Sequence, residues 1–332
     1  MAVELSLDKV QAVAELNRIQ QRKPYVHFQD KYTMTNSFRA GFIAILGRPN
    51  VGKSTLLNKI IGKKVSITSS KPQTTRHRLL GIRTTDDCQM IFVDTPGVHL
   101  GSKRYINQVL NKTAANALAG VDITLLMITA DGWKEEDIHA LKLAQQENNS
   151  LVLLINKIDK LKDKNRLLPL IEKSSQLHDF MAIIPLSASD GDNLEPLLDV
   201  LSQHLPESPL LFPEGQLTDK GERFIVSETI REKLFRQLHN ELPYALAVEI
   251  QQFDVTDTLV RADAVVWVEK DSQKGIIIGK NGEKLRSVGT SAREELESYF
   301  DRKVFLQLWV KVRENWSDDA VMLRAIGYIE EE

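Results

Sequence analysis

An α/β domain, with a mostly parallel sheet carrying helices on both faces, followed by a smaller α+β domain, is the fold class that this sequence predicts. Three observations lead to it. Between residues 41 and 204, short apolar runs alternate with amphipathic helical stretches, the pattern of strands buried on both faces. A glycine-rich turn joins the first apolar run directly to the first helical stretch. Pro206, Pro209, Pro213 and Gly215 then break the alternation, and a different order of elements follows. At 332 residues the chain exceeds one ordinary core, and two domains are expected.

Residues 1–37 read as an extension. Val10, Val13, Leu16 and Ile19 recur at helical spacing after Asp8, and Met34 offers an alternative start. In residues 38–206, strands are expected at Phe42–Leu46, Met90–Val93, Thr124–Thr129, Leu151–Ile155 and Ile183–Leu186. Helices are expected at Thr55–Ile61, 107–118, Glu135–Asn148, Lys164–Leu177 and Leu194–His204. Residues 207–217 read as a linker. The second domain, 218–332, is expected to run helix (about 218–239), strands (about 245–254 and 259–269), two helices around Gly279–Gly282, and a strand (about 303–312).

Composition narrows the class. A content of 42% hydrophobic and 27% charged residues is that of a globular protein. There is no run of eighteen apolar residues, no secretory pattern at the N-terminus and no Cys/His cluster at metal-ligand spacing, so a cytoplasmic location is expected. Cys88 is the single cysteine, and its place before a strand reads as packing. A net charge of −2 means that any nucleic-acid site must rest on a local basic patch.

Gly47-Arg48-Pro49-Asn50-Val51-Gly52-Lys53-Ser54 matches G-x-x-x-x-G-K-[ST] between a strand and a helix that Thr55 continues. Such a turn aims backbone N–H groups and a helix N-terminus at phosphates. Lys53 is expected to reach the β- and γ-phosphates and the Ser54 hydroxyl to ligate Mg²⁺. The motif specifies a nucleoside triphosphate without naming the base.

The base is named further along. Asn156-Lys157-Ile158-Asp159 ends the fourth apolar run and resembles the N-K-x-D guanine element of GTPases. A carboxylate at Asp159 can accept from guanine N1–H and N2–H₂, a donor pair that adenine lacks, and against adenine a buried Asp159 carboxylate is left unpaired. Lys157 can cover the base face, and Asn156 can tie this loop to the phosphate loop. Ser187-Ala188-Ser189 follows the next run and resembles the short element that offers a backbone N–H, here assigned to Ala188, to guanine O6.

Asp94-Thr95-Pro96-Gly97 resembles the D-x-x-G switch, with Asp94 on Mg²⁺ through water and the Gly97 N–H facing the γ-phosphate. Gln73-Thr74-Thr75-Arg76-His77 lies where a first switch belongs, and Thr75 is preferred to Thr74 as the Mg²⁺ ligand. Lys53, Thr75 and Gly97 are therefore the expected catalytic positions. Val98 stands where many GTPases carry a water-positioning glutamine, and a valine cannot orient water, so slow intrinsic hydrolysis is expected. His77, His99 and His139 read as structural or solvated, because phosphoryl transfer rests on positioning and charge neutralisation.

In the second domain, Gly279-Lys280-Asn281-Gly282 follows Ile276-Ile277-Ile278. The helix–strand–strand–helix–helix–strand order around it resembles a type II KH domain. Ile276, Ile277 and Ile278 are expected to floor a groove for three or four unstacked bases. Lys280, then Lys274 and Lys284, are expected at the nucleic-acid backbone, with Lys270, Arg286 and Arg293 around them. Single-stranded RNA is the expected target.

Taken in order, G-R-P-N-V-G-K-S, Q-T-T-R-H, D-T-P-G, N-K-I-D, S-A-S and I-G-K-N-G resemble the Era family of bacterial ribosome-assembly GTPases over residues 41–316. The resemblance implies a P-loop GTPase domain followed by a type II KH domain. It implies GTP and GDP as ligands, Mg²⁺, and K⁺ at the catalytic centre through Asn50. It also implies binding to the 3′ region of 16S rRNA, action on the 30S subunit, loose association with the inner membrane face, and a monomer. A factor with two G domains, such as Der, is disfavoured because a second phosphate loop is absent. A switch that holds GTP or GDP without hydrolysing it is the alternative that Val98 leaves open.

Overall fold

The computed structural model describes residues 38–328 apart from 70, 72–74, 98–104, 148 and 239–241. The expected N-terminal helix, Gln73, Thr74, Val98 and His99 lie outside the described residues. The first unit runs β1 (Arg39–Leu46), α1 (Lys53–Ile61), β2 (Leu79–Thr84), β3 (Cys88–Asp94), α2 (Tyr105–Asn116), β4 (Ile123–Thr129), α3 (Glu135–Ala144), β5 (Ser150–Asn156), α4 (Leu167–Leu177), β6 (Ala182–Pro185) and α5 (Leu194–His204). Its sheet has the order β2-β3-β1-β4-β5-β6, parallel throughout except for the β2–β3 pair.

Alternation along the strands divides the core. Ile43, Ile45, Phe92, Leu125 and Val152 face α1 and α5, where Leu56, Leu57, Ile60, Leu197 and Leu201 meet them. Ala44, Leu46, Val93, Leu126 and Leu153 face the other way, toward Ala114 of α2, Ala117 just beyond it, and Ala140 and Leu141 of α3. Burial on both sides explains why these strands read as continuous apolar runs. Strand β2 has no counterpart among the expected elements because Gly81 interrupts its apolar run. A Cβ at Gly81 would come within 2.4 Å of Leu57, so the missing side chain lets β2 lie against α1.

Residues 207–217 cross the β2 edge of this sheet rather than standing clear of it. Phe212 packs edge-on against Phe42 at 6.5 Å, Gln89 holds the Phe212 carbonyl and amide, and the Leu217 carbonyl accepts the Ile82 N–H at 2.9 Å.

The second unit comprises α6 (Glu222–Gln237), β7 (Leu246–Val255), β8 (Leu259–Val268), α7 (Asp271–Ile278), α8 (Glu283–Phe300), β9 (Lys303–Val312) and α9 (Ala320–Ala325). Its sheet order is β7-β8-β9, with the first pair antiparallel and the second parallel. Val226, Ile230 and Leu234 of α6 and Val288, Ala292 and Leu296 of α8 cover one sheet face. Helix α9 was not expected. Asp319 caps it by accepting from the Val321 and Met322 N–H groups. Its Met322 and Leu323 join Trp316, Tyr328 and Leu110 of α2 in a cluster that spans both units.

Helix α6 also grips the loop after α1. Lys64 sits between Glu232 and Glu295, and the Thr68 N–H donates to Glu232 at 3.0 Å. Lys71 donates to the Phe235 and Leu238 carbonyls at the C-terminal end of α6, where a cation suits the helix dipole. Arg76, only 1% exposed, donates to the Leu246 carbonyl at 2.9 Å and to the Tyr328 hydroxyl at 3.2 Å.

Candidate nucleotide and nucleic-acid sites

The loops after β1, β3, β5 and β6 gather at one rim of the sheet, beyond its C-terminal strand ends, where open α/β sheets bind ligands. The loops after β1, β3 and β5 border a cleft of about 520 Å³ lined by, among others, Pro49, Asn50, Lys53, Ser54, Thr75, Gly97 and Lys157. Gly52 opens α1 with φ 112°, and a Cβ there would strike the Asn156 amide at 2.3 Å. Only glycine fits that point. Lys53 is buried and donates to the Gly47 and Arg48 carbonyls at 2.9 and 3.1 Å. Burial lowers its pKa to about 8 against the opposing pull of Asp94.

Arg48 is turned away from the cleft. It donates to Thr129 at 2.6 Å and to Asp137 at 3.2 Å, pinning the phosphate loop to the end of β4 and the first turn of α3. Asn156 performs the tie expected of it. Its Nδ2 donates to the Val51 carbonyl at 2.6 Å, while Oδ1 accepts the Ala188 N–H at 2.9 Å. In this structure the Ala188 N–H assigned to guanine O6 donates to Asn156. A buried asparagine needs its acceptor satisfied, and Ala188 supplies that need in this structure.

Ser187 donates to Asp159 at 2.8 Å and lies 3.0 Å from the Ser189 hydroxyl. Asp159 itself is exposed, which corrects the expectation of a buried carboxylate. Lys157 takes a left-handed conformation, φ 65°, and reaches the Asn50 carbonyl at 2.6 Å. Burial lowers its pKa, helped by Lys160 and Arg48. Ile158 is buried below this loop, whereas Asn50 is exposed at the cleft.

The three expected metal-binding positions converge. Ser54 Oγ lies 2.9 Å from Thr75 Oγ1 and 3.0 Å from Asp94 Oδ2. Asp94 is fully buried and burial raises its pKa, opposed by Lys53 and by hydroxyls including Ser66. Its Oδ1 has no hydrogen-bond partner among the described residues. Two hydroxyls beside a half-satisfied buried carboxylate form an oxygen donor set of the kind that Mg²⁺ takes, with water completing the shell. The residues fit the ion. Thr95 secures the loop by donating to the Ile45 carbonyl at 3.0 Å, Pro96 is buried, and Gly97 lies so close to Pro49 that a Cβ would sit 3.0 Å from its nitrogen.

Sequence reasoning missed Ser66, which donates to Asp94 at 2.9 Å. Asn58 of α1 holds it there by accepting the Val65 and Ser66 N–H groups, each at 2.9 Å. The only signal was the Val65-Ser66-Ile67 alternation, a hydroxyl between two buried side chains. Asp137 was also missed, although it lies in the acidic first turn of α3. His77 is packed against Phe224 and Tyr328, with Nδ1 2.8 Å from the Gly327 carbonyl. Burial lowers its pKa to about 4, against the pull of Glu228. The Cys88 thiol is buried, and its pKa is raised by that burial.

In the second unit, Gly279 (φ 72°), Asn281 (φ 53°) and Gly282 (φ 75°) make the reversal between α7 and α8. A Cβ on Gly279 would meet the Lys284 Cβ at 2.9 Å, so the helix end stays close only with glycine there. Lys280 and Asn281 are exposed at the tip, with Lys274 and Lys284 half-buried beside it. Ile277 must be withdrawn from the groove floor. It is 0% exposed and packs into the domain core, with Ile278 partly buried against the same cluster, because successive helical residues turn about 100° and Ile276 takes the outer face. Ile276, 52% exposed, is the apolar side chain available there.

Sequence comparison supplies the family. Residues 42–157 match the family model described as 50S ribosome-binding GTPase, and residues 241–317 match that of the KH domain. GTPase Era of Coxiella burnetii (strain Dugway 5J108-111) is 51% identical over 290 residues, covering 87% of this chain and 98% of that protein. The chain belongs to the Era GTPase family. GTPase Era of Pseudomonas fluorescens (strain Pf0-1) is 47% identical, covering 89% of this chain and 99% of that one. Among solved structures, Era in complex with MgGDPNP and nucleotides 1506–1542 of 16S ribosomal RNA aligns with a TM-score of 0.85 at 37% identity, over 88% of this chain and 99% of that one. Aquifex aeolicus Era bound to GDP and AlF₄⁻ aligns with the same TM-score, identity and coverage. Among the described residues no helix is long and apolar enough to cross a membrane, and no group of three or more His, Cys, Asp or Glu gathers.

Proposed function

We propose that the protein is a GTPase of small-subunit ribosome assembly, which binds and hydrolyses GTP in the first domain and binds the 3′ region of 16S rRNA through the second. The observation that carries the reading is the meeting of Ser54, Thr75 and Asp94 at the mouth of a phosphate loop that Asn156 ties to the guanine loop. The domains are assigned as 38–206 and 218–332, joined by 207–217. Lys53 holds the phosphates; Ser54, Thr75 and an Asp94-bound water hold Mg²⁺; Asp159 selects guanine. Gly97 offers its N–H to the γ-phosphate. Mg²⁺ supplies neutralisation of the charge that develops on the phosphates. The chain's own part is to fix the phosphates and keep the carboxylate pointed at the ion.

RNA binding by the second domain is supported by the left-handed glycine turn and the exposed Lys280. That the Era structure in complex with nucleotides 1506–1542 of 16S ribosomal RNA aligns over 88% of this chain supports the same target. A cytoplasmic site of action accords with this reading, and loose contact with the inner membrane face comes from the family resemblance alone. Changing both Lys280 and Asn281 to Asp in the full chain is expected to weaken retention of a 16S 3′-end RNA on filters at least tenfold while GDP affinity persists. Equal retention of the RNA by the variant rules out the second domain's turn as the RNA site.

A further inference from the structure

The cleft has a wall that the first domain does not supply. Arg236, near the C-terminal end of α6, lines it together with Ser54, Thr55 and Thr75. Among the described residues, the hydrogen bonds of Arg236 run through Nη2. That nitrogen lies 3.0 Å from Glu232 Oε1 and 3.5 Å from both oxygens of Thr68. Its side chain is 53% exposed, while Glu232 is wholly buried.

Position along the cleft follows from the chain. Thr68 is two residues from Ser66, whose hydroxyl touches Asp94. Two residues span at most about 7 Å, and Ser54, Thr55 and Thr75 line the cleft with Arg236, which favours the metal and phosphate end for the guanidinium. Lys53 serves the phosphates from the first domain, and Lys71 is held on the end of α6, so Arg236 is the cation that the second domain adds to the cleft. A guanidinium carries five donors in a fork that matches phosphate oxygens. Among the described residues, Arg236 commits one nitrogen to the protein, which leaves Nε and Nη1 for a ligand.

We infer that Arg236 is a nucleotide-contacting residue, a phosphate ligand contributed to the GTPase site by the RNA-binding domain. The inference rests on the assignment of the cleft to guanine nucleotides. Its consequence is that the nucleotide touches both domains, with α6 carrying the contact. Glu232 sets the reach of the arginine, and the loop that α6 grips through Thr68 and Lys71 carries the floor beneath it.

The test uses the full chain with Arg236→Ala and Arg236→Lys, titrated with guanosine, GDP and GTP in Mg²⁺. One lost charge-assisted phosphate contact, half-exposed to water, is expected to weaken GDP and GTP about tenfold. Guanosine affinity stays unchanged, and lysine recovers part of the loss. If all three ligands weaken equally, Arg236 merely shapes the cleft and the proposal is overturned. It is equally overturned if none weakens. Failure of the unaltered protein to bind GDP at all strikes the nucleotide assignment instead, so the two failures are told apart by the parent titration.

Discussion

Replacing Asn156 by alanine tests the joint on which the nucleotide site turns. The amide bridges two backbone groups, the Val51 carbonyl at 2.6 Å and the Ala188 N–H at 2.9 Å, and both residues are buried. Alanine leaves both groups without partners. A buried unsatisfied group costs about 1–3 kcal/mol, so the pair costs about 2–6, and about 3 is expected with water admitted from the cleft. For domains of this size that lowers the melting temperature by about 6–12 °C. The phosphate and guanine loops lose their common anchor, and GDP affinity is expected to fall at least tenfold. Asn156→Asp is the sharper variant. It keeps the acceptor for Ala188 but sets an oxygen against the Val51 carbonyl, so its defect is expected to be severe at neutral pH and to lessen as acid protonates the carboxyl. Thermal unfolding and titration with a fluorescent GDP read both effects. A melting temperature within 2 °C of the parent, together with unchanged GDP affinity, refutes the reasoning.

Three further outcomes follow from single sites. With a free-state Lys53 pKa of about 8 and bound phosphates favouring the ammonium, GDP affinity is expected to hold steady below pH 8 and fall up to tenfold per unit above it. Calorimetry in two buffers at pH 8.5 is expected to show proton uptake on binding, and its absence contradicts the assignment. His77 is held neutral, its pKa lowered from 6.5 to about 4. Its contribution is therefore complete above pH 6.5 and lost as pH falls toward 4, about 3 kcal/mol over 2.5 units, and denaturant unfolding of His77→Phe is expected to lack that slope. Asn50 is exposed at the cleft, and through the family resemblance GTP turnover is expected to be faster in potassium than in sodium; equal rates remove potassium from the site.

Most strands were legible because parallel strands buried on both faces become uninterrupted apolar runs, as Leu151–Ile155 illustrates. The helix bounds at Leu194–His204 could be read from apolar spacing alone. Strand β2 could not, since Gly81 is favourable only against Leu57, a contact distant in sequence. Helix α9 is six residues long and owes its place to Trp316 and Tyr328 rather than to a period of its own. The phosphate loop was readable because its geometry demands particular residue types at fixed spacing. Ser66, Asp137 and Arg236 were not, because each owes its part to a partner 28, 89 or more than 160 positions away. Ile277 shows a third limit: three successive isoleucines give no phase, and only the packed helix decides which one faces inward.

The measurement that bears most directly on the whole account is phosphate release by the purified full chain, with GTP and ATP compared at equal concentration in Mg²⁺. Slow release from GTP, with at least a hundredfold less from ATP, is the predicted result. Equal rates with the two nucleotides would contradict the role given to Asp159, and release from neither would contradict the catalytic reading of Lys53, Thr75 and Asp94.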